Sequence, residues 1–280
     1  MWNVKVPQAA CLALVGTLMF SLPGSAWSLG LDNASQAAYG DGWQNGDNGG
    51  SGFLPWFLNT SGTPGVNGNS TASFFTGAAY APSMGTSFGV FANSPDGADS
   101  PLAEAIRSFS PAIGPGLSFS FQLSWNFRNG FKGFDLRAGG TPMIRFEASD
   151  NFGAGNEIQL RNLIASNSVS LFSGNYSSTA LFDVKFTFLP ANDIQVEIDY
   201  SGSAGNPHAS ILTGFSGLPD NFRFWVSDTG TGSNNNLYFN NLAVIPEPSS
   251  AALLMAFGLA GVGRRHRLKR SVQSPKFVCG

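Results

Sequence analysis

Two carboxyl groups stand two residues apart in the stretch VEIDY, Glu197 and Asp199. On an extended strand, residues i and i+2 share a face, so both side chains point the same way. A retaining glycosidase holds its nucleophile and its acid about 5 Å apart, and this spacing is compatible with that chemistry. It is equally the pattern of the wet side of an amphipathic strand, because Ile194, Val196, Ile198 and Tyr200 take the opposite face. A Ser-His-Asp site would have to use His208, the one histidine between Leu29 and Ile245. Its surroundings, GSAGNPHASI, read as a turn, where a lone histidine is ordinarily solvated. No cluster of His and Cys supports zinc, and no Gly-Lys-Thr loop offers a phosphate cradle. Catalytic residues are therefore expected to be none.

A second group of polar residues lies in YGDGWQNGDNGGSGFLPW. Asp41, Asn45, Asp47 and Asn48 offer hard oxygen ligands of the kind Ca²⁺ takes in sets of about six to eight. Their spacing matches no EF-hand loop and no Glu closes the set, so Ca²⁺ stays an option rather than a requirement. Trp43 and Trp56 form the alternative: a platform for a sugar ring, with Asp41 and Asp47 bonding its hydroxyls. The plain reading is a loop whose Gly and Asn residues supply turns with positive φ and whose tryptophans are core.

Composition bounds what such residues can be part of. Of 280 residues only 11% are charged, while Gly (35) and Phe (25) are abundant, which suits an all-β domain with many tight turns. Between Leu29 and Ile245 there are 8 Lys and Arg against 16 Asp and Glu, a net charge of −8. An acidic body without a basic stripe excludes nucleic acid as a partner. The two cysteines, Cys11 and Cys279, both lie outside that stretch, so the body folds without a disulfide.

The elements that would position these residues are strands. In LSFSFQLSWNF the residues Leu117, Phe119, Phe121, Leu123, Trp125 and Phe127 alternate with Ser, Gln and Asn. LFDVKFTFLP puts Phe182, Val184, Phe186 and Phe188 on one face, and the short AND that follows turns it into a hairpin with DIQVEIDY. Weaker strands are SFGVFA, GFDLRA, MIRFEA, EIQLRN, SVSLFS, FRFWVSD and LYFNNLAV, and one short helix is expected over PLAEAIRSF. The expected architecture is all-β: a two-sheet antiparallel β-sandwich, jelly-roll or concanavalin-like. The aromatics of the best strands, at about 150–250 Å² buried each, would be its main stabilising term.

Both ends differ from the body. At the N-terminus, Lys5 precedes the apolar AACLALVGTLMFSL and then PGSAWS, which places Ala26 and Ser28 at the −3 and −1 positions before Leu29. Residues 1–28 read as a signal peptide, exported through the Sec translocon, and residues 29–245 as the sandwich domain. At the C-terminus, Pro246-Glu247-Pro248 leads into an apolar run. Ala251–Gly263 is 13 residues without a charge, about 20 Å as a helix, and counting back to Pro246 brings it near the ~20 residues a bilayer requires. Arg264 and Arg265 then begin a basic cluster that fits the positive-inside rule.

Pro246-Glu247-Pro248, the apolar segment and Arg264-Arg265, in this order, resemble the PEP-CTERM sorting signal of exported bacterial proteins, here spanning residues 246–270 with an atypical tail at 271–280. The resemblance implies recognition of Pro246, Glu247 and Pro248 by an exosortase, a membrane-embedded cysteine protease. It also implies residence at the inner membrane during sorting and delivery to the cell envelope or extracellular matrix. SFGVFANSP, AIRSF, GFDLRAGG and LYFNNLAVIPEPS are similar to the β-sandwich bodies that often carry this signal. VEIDY resembles part of the Glu-x-Asp-x-x-Glu strand of laminarinase-type hydrolases, with Gly202 where the third carboxylate would stand. The expectation is a non-enzymatic, exported surface or matrix protein associated with extracellular polysaccharide; the alternatives are a lectin-like module and a glycosidase using Glu197 and Asp199.

Overall fold

The structure, a computed structural model, describes residues 28–63, 65, 68–153, 158–171, 181–201 and 207–247. The signal peptide, Pro248, the apolar span, Arg264, Arg265 and the tail lie outside the described residues. Among the described residues no helix is long and apolar enough to cross a membrane.

Among the described residues, fifteen strands form two sheets. In chain order they are β1 (Gly30–Asp32), β2 (Phe57–Ser61), β3 (Thr71–Ala78), β4 (Thr86–Asn93), β5 (Leu102–Ser108), β6 (Leu117–Trp125), β7 (Phe131–Ala138) and β8 (Thr141–Ser149). There follow β9 (Ile158–Asn162), β10 (Asn167–Ser170), β11 (Phe182–Phe188), β12 (Ile194–Tyr200), β13 (His208–Leu212), β14 (Asn221–Ser227) and β15 (Leu237–Pro246). The first sheet has the order β13-β12-β11-β6-β15-β4-β3, with β1 also paired to β15. The second has the order β10-β9-β8-β7-β14-β5-β2. The described residues are thus all-β, two antiparallel sheets packed face to face.

Aromatic rings from both sheets fill the interior. Phe224 of β14 lies flat on Phe239 of β15 at 3.6 Å and 5°, Phe121 of β6 meets Phe134 of β7 at 4.4 Å, and Phe119 meets Phe222 at 4.7 Å. The alternation read along β6, β11 and β12 decides this directly: Phe119, Phe121, Leu123, Trp125, Phe182, Phe186, Ile194 and Ile198 are all buried. Each is one inward position of a period-2 strand. The β11–β12 hairpin is present, pairing Phe188 with Ile194 across a turn at Pro190–Asn192.

Two expectations are corrected. PLAEAIRSF is a strand, β5, not a helix. Its Ala and Glu favour helix locally, but Ala103, Ala105 and Arg107 alternate inward while β14 and β2 bond it from both sides, and tertiary pairing outweighs a propensity of a few tenths of a kcal/mol per residue. Phe127 is not an inward residue of β6: the strand ends at Trp125 and Phe127 is 49% exposed. There the chain leaves the sheet, its Phe127 N–H donating to Asn234 O (2.9 Å).

That departure is held by Lys132, a fully buried lysine on β7 whose Nζ donates to Phe127 O (2.6 Å) and Asn235 O (2.8 Å). Burial pushes its ammonium down to about 7, partly opposed by the Asp150 carboxylate. Above that pH the folded chain has released a proton that the unfolded chain keeps up to the ordinary lysine value, so stability rises with pH over this window. The free energy of urea unfolding is expected to increase between about pH 7 and about pH 9. Lys132→Met should flatten that slope; an unchanged slope in the variant would remove Lys132 as its source.

Candidate functional site

The glycine-rich N-terminal segment folds around a buried ion pair. Arg107, on the inward face of β5, bonds Asp32 of β1, and both side chains are 0% exposed. The same guanidinium donates to Asn48 Oδ1 (2.6 Å), Gly49 O (2.9 Å) and Leu54 O (2.6 Å) and lies 4.9 Å from the rings of Phe53 and Trp56. Tyr39 donates its hydroxyl to Asp32 Oδ2 (2.6 Å) and accepts from Gly49 N and Trp56 Nε1. Burial holds the Asp32 carboxyl above its usual value despite Arg107. Burial also raises the Tyr39 hydroxyl, with Asp32 adding to the effect. Gly50, at φ 73°, could carry no side chain: a Cβ there would collide with the Leu31 carbonyl.

This arrangement answers the sugar-platform expectation. Trp43 (4% exposed) and Trp56 (1%) are core residues. Trp43 packs edge-on against Trp56 at 5.2 Å and at a tilt against Phe88 at 4.7 Å, and Trp56 meets Phe222 at 5.9 Å. Neither presents a ring to solvent, because the loop needs them to close one end of the sandwich. The polar residues serve the loop as well. Asp47 Oδ2 accepts from Gln44 N (2.7 Å), Asn45 Oδ1 from Leu58 N (2.9 Å), and the Asp41 carbonyl from Gln44 Nε2 (3.4 Å). Among the described residues no three His, Cys, Asp or Glu side chains gather as a metal site. Of the tentative ligand residues, Trp43, Trp56 and Asp47 build the fold, and Asp41 lies exposed at its surface.

Glu197 and Asp199 do share the outer face of the eight-stranded sheet, over a shallow depression that also involves Ser120, Gln122, Asp183 and Asn241. Glu197 is 3.7 Å from Lys185 Nζ and accepts from Gln195 Nε2. Asp199 is exposed and faces Asp183 across the ladder. His208 is in a strand, β13, at the sheet edge, with its ring nitrogen 3.1 Å from Ser210 Oγ. The stretch GTSFG, Gly85–Gly89, has a Gly-x-Ser-x-Gly spacing that went unrecognised in the sequence; it runs into the start of β4, where Ser87 is buried. It is a straight strand and not the strand-to-helix elbow that exposes a nucleophile.

A polar row on the outer face of the seven-stranded sheet went unrecognised in the sequence. Asn59 donates to Glu104 (3.1 Å), and Glu104 and Asp135 both bind Arg223. Arg145 grips Asp135 with two bonds (2.8 and 3.1 Å), and Arg161 binds Glu147 (2.8 Å). Trp225 lies among them, with Arg145 and Arg223 against its ring at 4.8 and 5.5 Å and its indole N–H buried and unpaired. Seven strand positions spread over residues 59–223 carry this row, and no local motif links them.

The C-terminal motif begins inside the fold. Pro246 is the last residue of β15 and stands opposite Leu117 of β6. The next residue, Glu247, donates its N–H to Gly116 O (2.9 Å), and its carboxylate meets Lys185 Nζ at 3.0 Å.

Residues 244–268 match the family described as the PEP-CTERM protein-sorting motif. The chain carries a PEP-CTERM sorting signal. Such a signal implies export, membrane-associated sorting and, in general, exosortase processing. No curated protein matches the sequence. Among solved structures, the chain is similar to an endo-β-1,4-glucuronan lyase from Trichoderma reesei (12% identity, 68% of this chain and 94% of that one, TM-score 0.38). It is also similar to a glycosyl hydrolase family protein from Mycobacterium fortuitum (11%, 68% and 90%, 0.41) and to lectin I-B4 from Griffonia simplicifolia (12%, 67% and 98%, 0.35). The sandwich assignment rests on the sheet topology and not on these likenesses.

Removing one partner of a buried ion pair costs about 3–5 kcal/mol. Asp32→Asn and Arg107→Met are each expected to lower the unfolding free energy by about that amount, read by urea titration followed through tryptophan fluorescence.

Proposed function

We propose that the protein is a non-enzymatic, exported sandwich, delivered by its PEP-CTERM signal to the cell envelope or extracellular matrix, where it associates with extracellular polysaccharide. The observation that carries this reading is the direct continuity of β15 with the matched motif, which makes the whole sandwich the passenger of the signal. The charged side chains support a passive role. Glu104, Asp135 and Glu147 are each held by arginine, and Glu197 lies beside Lys185, so each of these carboxylates already faces a cation of the protein itself.

In the native host, the mature protein is expected to end near Glu247, and Glu247→Gln should leave it unprocessed. Mass spectrometry of the C-terminus decides this: a secreted form intact through Cys279 overturns the sorting reading.

Carbohydrate binding is a second reading, favoured by the row from Asn59 to Arg161. It presents alternating donors and acceptors around Trp225 on one open sheet face, and such convergent polar groups suit hydroxyl-rich ligands. Arg161 is 38% exposed and therefore accessible to a ligand. On a glycan array, Arg161→Ala should reduce binding at least about tenfold, the loss of one charged hydrogen bond, with unchanged circular dichroism. Equal binding by the variant, or none by the wild type, rejects this face as a glycan site.

A further inference from the structure

A protease that grips an extended peptide needs several residues free of other backbone partners. The residues leading into this sorting motif are not free. Ala243, Val244, Ile245 and Pro246 pair with Ser120, Phe119, Ser118 and Leu117 of β6. Val244 also stands opposite Gly30 of β1 and accepts a bond from Leu29 N (2.8 Å). The rung beyond Pro246 is closed by Glu247 N–H on Gly116 O. No linker separates the motif from the sheet.

Lys185 closes the motif further. It stands on β11, two strands away from β15, and its side chain reaches diagonally over β6 to the Glu247 carboxylate. The Glu247 side chain is 20% exposed and that of Lys185 34%. Glu197, opposite Lys185 on β12, holds the other side of the same ammonium at 3.7 Å. The only acidic residue of the Pro-Glu-Pro triplet is therefore bound to its own sandwich.

We propose that Lys185 is a clasp on the sorting motif: the folded body sequesters Glu247, and processing requires the last rung of β15 to peel from β6 and the Lys185–Glu247 pair to open. Body folding and recognition by the sorting protease then compete for the same residues, and Lys185 sets how much of the folded protein exposes its motif. This inference rests on the sorting reading above, which supplies the protease, but the clasp itself is a property of the isolated chain.

Two measurements separate the two. In the detergent-solubilised full-length chain, hydrogen exchange of the Glu247 amide reports opening of the rung without any protease. A partly exposed ion pair shifts such an equilibrium modestly, so Lys185→Ala is expected to speed that amide about two- to fivefold while amides in the middle of β6 and β11 stay unchanged. Lys185→Arg, which keeps the charge, should restore the wild-type rate. An unchanged Glu247 amide in Lys185→Ala, or failure of Lys185→Arg to restore it, overturns the clasp. In the native host, pulse labelling should show Lys185→Ala maturing about two- to fivefold faster than wild type; equal rates overturn the competition. If the wild type itself keeps its C-terminus, the sorting reading fails, and the amide measurement alone decides the clasp.

Discussion

The fold turns on the buried charge pair of Arg107 and Asp32. Arg107 enters the interior from the seven-stranded sheet and Asp32 from the strand that borders β15 in the other sheet, so their contact ties the two layers together. Two ions out of water need partners for their remaining hydrogen-bonding capacity. Here the N-terminal segment supplies them for the guanidinium, through Asn48, Gly49 and Leu54, and Tyr39 donates to the same Asp32 Oδ2 that Arg107 binds, while Asp32 Oδ1 is buried without a hydrogen-bond partner. The glycine-rich stretch is shaped by that requirement. It must bring backbone carbonyls to Arg107 while laying Phe53 and Trp56 on the same guanidinium.

Closing one end of the sandwich in this way frees the outer faces. Both carry charge, arranged differently. On the seven-stranded face, arginines and carboxylates bond across five neighbouring strands, and Asp135 and Glu147 are almost fully covered despite pointing outward. Long arginine side chains roof them over, with Trp225 packed beneath. On the eight-stranded face, the charges are sparser and one of them, Lys185, holds a residue that belongs to the sorting signal. The surface chemistry of the body and the routing of the protein thus meet on that sheet.

The last strand links these levels. β15 is bonded by β6 along most of its length, by β4 at its start and by β1 near its end. A bulge between Asn240 and Ala243, with Asn241 at φ 53°, lets Asn240 turn its amide onto Met84 O and Thr86 O. A strand so placed is set deep in the sheet, and the signal that follows it starts from a rigid point. Glu247 follows the last residue of β15 directly.

The period of the apolar residues was enough to read β6, β11, β12 and their sandwich, because burial on one face of a strand leaves its mark on every second residue. The Pro-Glu-Pro triplet with its apolar and basic flanks was likewise legible, being a local pattern read by a partner in extended form. The strand at β5, the burial of Trp43 and Trp56, the row from Asn59 to Arg161 and the Lys185–Glu247 contact were not. Each depends on which strands become neighbours and in what register, and pairing places residues dozens or more than a hundred positions apart within hydrogen-bonding distance. Sequence by itself determined the strand-forming pattern, the acidic disulfide-free body and the sorting signal. Tertiary structure alone decided which polar groups are buried, which face solvent and which one holds the signal, because those outcomes follow from contacts between distant segments that no local window contains.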